Sequence, residues 1–279
     1  MQQLSLLIVM LAALIIPIIM ARFKVSSIPT AIAEIITGII LGKSFLNIVN
    51  PNWTLNMMSS MGVIMLMFLS GMEINFDLFR KTPGKKRDSK SPVVMASQAF
   101  GLIIAAALII AIVISRLGLF KDVLLATIIF STVALGVVIA TLKEKDILQK
   151  PVGQTILLTA VLGEVVPMLA LTFYASINGG NARRLWLIVL LFLAAFILLR
   201  RFKQPYVWFN KISKSTTQLD VRLAFFLIFA LVTIAETVGA ENILGAFLAG
   251  MVMILLQPSE TTEDRLNSIG YGFLIPFFF

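Results

Sequence analysis

Glu164 is the one acidic or basic residue between Lys150 and Arg183, near the centre of the apolar run PVGQTILLTAVLGEVVPMLALTFYASI at residues 151–177. A charged side chain at that depth of a bilayer costs at least ~2.5 kcal/mol, so such residues face a bundle interior or water and handle ions or protons. Pro167 lies three residues further on. Proline lacks an N–H, so the carbonyl four residues back, that of Gly163, is expected to be free beside the carboxylate and to give a cation a second hard oxygen. The plainer alternatives are a neutral, hydrogen-bonded carboxyl kept for packing and a proline that only kinks the helix.

A second cluster lies one segment earlier. DVLLATIIFSTVALGVVIATLKEK carries Ser131, Thr132 and Gly136 at its middle. Hydroxyls in membrane helices commonly bond the backbone a turn earlier, and taken alone these two fit that role. Glycine beside them favours a local break, where carbonyls and hydroxyls would meet a hard cation and the two half-helix ends would complement its charge.

These residues require a membrane scaffold. The chain has 279 residues, 59% of them hydrophobic and 13% charged, and its mean hydropathy is +0.98, the composition of a polytopic membrane protein. With neither cysteine nor histidine, it has no disulfides, thiolate metal sites or imidazole switches. Nine apolar segments are long enough to cross, at about 4–21, 28–49, 55–73, 92–115, 122–142, 151–177, 185–199, 221–238 and 242–257, and a tenth begins near Leu266. The first reads as a retained helix, because neither a basic stretch nor a cleavage site flanks it. The stretch at 200–220, with Tyr206 and Trp208, reads as an interfacial piece.

Cytoplasmic loops are enriched in lysine and arginine. Of the 23 basic residues, only Lys43, Arg116, Lys121, Arg183 and Arg184 fall on the side opposite the loops after the odd-numbered segments. The N-terminus is therefore expected outside, and the net charge of +9 belongs to the cytoplasmic leaflet, without any need for nucleic acid. TAIAEIITGIILG echoes ENILGAFLAGMVM, and SMGVIMLMFLSG echoes IGYGFLIPFFF. The second and ninth segments are an odd number of crossings apart, so a true repeat would be inverted.

STVALGVVIATLKEKDILQKPVGQTILLTAVLGEVVPML, with AEIITGIILG, GVIMLMFLSGMEINFDLFRK and ILGAFLAGMVM, resembles the monovalent cation/proton antiporters of the Kef and NapA-like branch over almost the whole chain. The resemblance implies an all-α transmembrane bundle of the NhaA/NapA-like antiporter type with inverted repeats and a discontinuous helix. Residues 1–279 would form one domain: a first repeat at about 1–177, a linker helix at about 185–199 and an incomplete second repeat at about 221–279. Relatives continue through a second broken helix and a membrane-embedded lysine, which no Lys or Arg here replaces, so a fragment or truncated product is expected. The resemblance also implies a homodimer in the cell membrane with no cofactor beyond the transported ions.

Carried over by position, Glu164 takes the place of the family's aspartate, and Gly163 the preceding place, where relatives have Asp, Asn or Gln. With no second titrating group there, charge counting favours electroneutral exchange. Glu164 with Thr132, Ser131 and freed carbonyls is then expected to bind Na⁺ or K⁺ when ionised and a proton otherwise. Glu34, where the family has a similar acid, is a candidate to line an inner funnel, while Glu34, Glu73 and Glu236 otherwise read as helix-end anchors. The alternatives are a transport-inactive membrane subunit or sensor of the same fold, a sodium-coupled symporter, and a Kef-type potassium efflux system.

Overall fold

The computed structural model describes residues 2–23, 29–43, 45–74, 91–178, 193–198, 200–201, 217–238 and 241–278. Over these the chain is helical, without strands. In chain order the helices are α1 (Gln2–Arg22), α2 (Thr30–Leu41), α3 (Trp53–Met72), α4 (Pro92–Arg116), α5 (Val123–Phe130), α6 (Leu135–Glu144), α7 (Pro151–Asn178), α8 (Leu219–Val238), α9 (Asn242–Leu255) and α10 (Glu260–Ile269). A π-helical turn at Gly270–Leu274 and a 3₁₀ turn at Ile275–Phe277 follow. Of the expected linker helix at about 185–199, residues 193–198 are described and helical, and of the interfacial stretch at 200–220 only 200–201 and 217–220 are described.

Leu4–Arg22, Trp53–Met72, Pro92–Arg116, Val123–Glu144 and Pro151–Leu171 are each long and apolar enough to cross a membrane. The apolar segment at 28–49 is shorter as a helix than its composition predicts. α2 ends at Leu41, about 18 Å from its start at 1.5 Å per residue, and the chain folds back, with the Leu46 N–H donating to the Ile40 carbonyl (2.9 Å) and the Asn47 N–H to that of Gly42 (2.8 Å). Asn47 takes the left-handed conformation, φ 52°, which asparagine tolerates better than most residues. The expected tenth segment also differs: α10 is polar, and the apolar residues after it form the π and 3₁₀ turns.

Two compact units divide the chain. The first contains Met1–Glu73, Leu191–Thr237 and Asn242–Phe279. Its core is the contact between α3 and α9, where Met65, Leu66, Phe68 and Leu69 of α3 and Leu244 of α9 are buried; Leu227 and Leu231 of α8 are buried too, with the Leu231 carbonyl against Gly245 of α9. Gly71 and Gly250 bring the two backbones together: a methyl group at Gly71 would lie 2.2 Å from the Phe247 carbonyl oxygen, and one at Gly250 2.0 Å from that of Phe68. Small residues at such crossings let helices associate where lipid supplies no hydrophobic drive. At the start of α8, buried Asp220 accepts hydrogen bonds from the Thr262 hydroxyl (2.7 Å) and the Arg265 guanidinium (3.2 Å), tying α8 to α10.

The second unit contains Ile74–Leu190 and Val238–Glu241. In it α4 packs against α5 and α7, and α6 against α7. Ser91 caps α4 and Asp122 caps α5, the latter through its Oδ1 and the Leu125 N–H at 3.0 Å. Asp122 Oδ2 also accepts the Tyr174 hydroxyl of α7. One carboxylate thus fixes the start of α5 to the helix that carries Glu164.

Candidate ion-binding site

The fifth apolar segment is two helices. α5 stops at Phe130 and α6 starts at Leu135, so residues 131–134 interrupt the crossing. At 8 and 10 residues, neither half spans a ~30 Å core at 1.5 Å per residue, so the interruption falls inside the membrane. Gly136 lies one residue past the start of α6, beyond the gap rather than in it. The carbonyl end of α5 and the N–H end of α6 meet at this gap. The first carries partial negative charge and the second partial positive charge.

Glu164 occupies the positive end. Its Oε2 accepts a hydrogen bond from the Leu135 N–H at 3.2 Å. Leu135 is the first residue of α6, and Ala134 before it offers no side-chain cap, so a carboxylate from α7 satisfies a donor that would otherwise lack a partner. The half-buried Glu164 has no hydrogen bond to Oε1 among the described residues, which leaves that oxygen for another ligand.

Ser131 and Thr132 sit in the gap, at the carbonyl end of α5. Both hydroxyls donate to the preceding turn, Ser131 to the Ile128 carbonyl (2.9 Å) and Thr132 to that of Ile129 (2.8 Å). This is the backbone role anticipated for them when taken alone. It spends their protons and turns their lone pairs into acceptors, a state in which a hydroxyl can face only a donor or a cation. Among the described residues no group of three acidic, cysteine or histidine side chains converges. One carboxylate with neutral oxygens suits a singly charged ion better than Ca²⁺, which takes six to eight oxygens.

The Gly163 carbonyl is not free, contrary to the expectation from Pro167. It accepts the Val133 N–H at 2.9 Å. Pro167 does remove the N–H that would have used this oxygen, but the interrupted helix supplies a replacement donor from across the interface. Gly163 is what allows the approach. A methyl group there would lie 2.5 Å from Val133 Cγ2 and 2.9 Å from its Cβ, and the β-branched side chain has few other rotamers to move into. Gly163 and Glu164, successive residues of α7, therefore hold Val133 in the gap and Leu135 at the start of α6.

Against proteins of known family, residues 9–279 match the sodium/hydrogen exchanger transmembrane family. The chain belongs to that family. It is similar to YjbQ of Bacillus subtilis, named as a candidate Na(+)/H(+) antiporter, at 42% identity over 99% of this chain and 46% of the relative. It is 28% identical to a candidate Na(+)/H(+) antiporter 3 of Methanocaldococcus jannaschii over 95% of this chain and 66% of that protein. A Na(+)/H(+) antiporter of Enterococcus hirae is 25% identical over 90% of this chain and 65% of its own length. The chain thus spans less than two thirds of each of these relatives.

Two other acids of this exchanger-family chain, Glu236 and Glu34, lie far from the gap in sequence. Glu236, at the end of α8, accepts the Asn242 side-chain amide at 3.1 Å, a helix-end contact of the kind expected for it. Glu34 belongs to the first unit and lines a cavity of about 230 Å³ with Thr37 and Leu41 of α2, Val49, and Leu55, Asn56 and Ser59 of α3. That cavity runs toward the α2–α3 connection. Sequence reasoning missed the roles of Val133, Leu135 and the Asp122–Tyr174 contact. The first two act through backbone N–H groups, which every residue but proline carries, so side-chain type gives no signal for them.

Proposed function

We propose that the chain exchanges a monovalent cation, Na⁺ or K⁺, for a proton across the cell membrane through the single carboxylate of Glu164. The observation that carries this reading is the placement of Glu164 at the α5–α6 gap, one oxygen on the Leu135 N–H and the other without a hydrogen-bond partner among the described residues. The α6 terminus and the Leu135 N–H hold one carboxylate oxygen, and the ionised group can take a cation at Oε1 with lone pairs from Thr132 and Ser131. The protonated carboxyl offers a cation no charge and excludes it. Alternate exposure of the two forms to the two sides gives exchange.

The stoichiometry follows from counting charge. The site carries no net charge with either one cation or one proton bound, and the position before Glu164 holds a glycine packed on Val133 instead of a second acid. Exchange is therefore one for one and electroneutral. The lysine and arginine distribution supports an N-terminus outside, and the family resemblance supports a homodimer with inverted repeats. A second reading, a non-transporting subunit or sensor, draws on the same glycine, because the gap is closed tightly against α7 at Gly163.

Cation-driven proton movement in proteoliposomes tests the assignment. Glu164→Gln is expected to abolish exchange with normal folding, since the amide copies the protonated acid in shape but can neither release a proton nor supply charge. Glu164→Asp is expected to retain reduced exchange with altered cation preference. Undiminished exchange in the Gln variant would return Glu164 to a structural role.

A further inference from the structure

The cavity beside Glu34 is lined entirely by the first unit, by α1, α2, α3 and the chain that follows α10, and the exchange reading makes no use of it. Its walls have two characters. Val9, Ala13 and Ile16 of α1 and Phe277 make an apolar surface, while Glu34, Thr37, Asn56 and Ser59 bring four oxygen-bearing side chains to the same space. The Thr37 hydroxyl donates to the Ala33 carbonyl at 2.8 Å, so it presents only lone pairs to the cavity. Glu34, Asn56 and Ser59 have no side-chain hydrogen bonds among the described residues. A carboxylate with acceptor oxygens around it and no donor of positive charge is complementary to a cation.

We propose that this cavity binds a small amphipathic cation, a primary ammonium or guanidinium group on a short apolar body. An –NH₃⁺ head has three donors and no acceptor, matching Glu34, Asn56 and Ser59. A bare alkali ion would leave the α1 wall unused, and a neutral apolar molecule would leave the carboxylate unpaired at a cost. The volume of about 230 Å³ is below the range of drug-sized sites, about 300–1,000 Å³, so the body is short, of the size of a butyl or hexyl chain. Val49 and the first two turns of α3 line the cavity, and the basic-residue asymmetry puts that end outside, so the ligand enters from the external face.

The chain has no cysteine, so Ala12→Cys, at a lining position outside the three head-group partners, introduces a single thiol into the cavity. Its rate of modification by a small neutral methanethiosulfonate is measured with n-butylammonium, n-butanol or Na⁺ at matched ionic strength. Butylammonium is expected to slow the reaction by at least about tenfold, the scale of one desolvated charge pair, while butanol and Na⁺ leave it unchanged. Adding Glu34→Gln, or Ala13→Phe to fill the apolar side, is expected to remove the protection, and Glu164→Gln to preserve it. A thiol that does not react at all, protection that survives Glu34→Gln or Ala13→Phe, or equal protection by butanol or Na⁺ would overturn the proposal. Because the readout is binding, loss of exchange in Glu164→Gln does not affect it.

Discussion

The site is made by residues that do different things from those their types announce. Glu164 is legible in the sequence because an acid in an apolar run has a large cost that only function or close packing offsets. Gly163 is not, because the absence of a side chain carries no sign of what fills its place. Here Val133 fills it, and that gives a sharp expectation. Gly163→Ala should force Val133 and the gap away from α7, a small-to-large change that typically costs 1–3 kcal/mol. Thermal unfolding of the purified protein should show a lowered midpoint, and exchange should fall even though Glu164 is intact. An unchanged midpoint with full exchange would show that the close approach is unimportant.

Among the elements, the interrupted crossing was readable from the hydroxyl–glycine cluster, although the interruption falls at 131–134 and leaves Gly136 inside α6. The expected free carbonyl at Gly163 was wrong for an instructive reason. A backbone oxygen released by proline inside a bundle is quickly claimed by whatever N–H the neighbouring element leaves spare, and a broken helix always leaves some. α2 is shorter than its apolar segment because apolar composition continues past Gly42 while the backbone turns back. α8 and α10 are joined by Asp220, with 2% of its surface exposed, and by the Arg265 side chain, 40% exposed. Burial decides between these partners. Asp220→Ala removes the buried carboxylate that the Thr262 hydroxyl donates to, leaving that hydroxyl with Ser259 Oγ, and is expected to lower stability by about 1–3 kcal/mol, whereas Arg265→Ala removes a half-exposed pair worth about 0–1 kcal/mol. Denaturation midpoints of the two variants check the order, and an equal or larger loss in Arg265→Ala would contradict it.

For the whole molecule, composition alone fixed a polytopic helical membrane protein, and the family match over residues 9–279 agrees with the resemblance carried by the helix break and Glu164. Orientation rests on the basic residues, and the lack of cysteine makes it open to test. A thiol introduced as Lys145→Cys, in the connection between α6 and α7, is expected to be protected from an impermeant reagent in intact cells, and one introduced as Leu119→Cys, between α4 and α5, to be labelled. The reverse pattern would invert the topology. The central claim remains that one carboxylate takes either a cation or a proton, and it is tested most directly by proton release on cation binding. In weakly buffered solution, adding Na⁺ or K⁺ to the purified protein should release up to one proton per chain, with an apparent affinity that weakens as pH falls, and Glu164→Gln should release none. Equal release from the Gln variant, or cation binding that releases no proton at any pH, would contradict it.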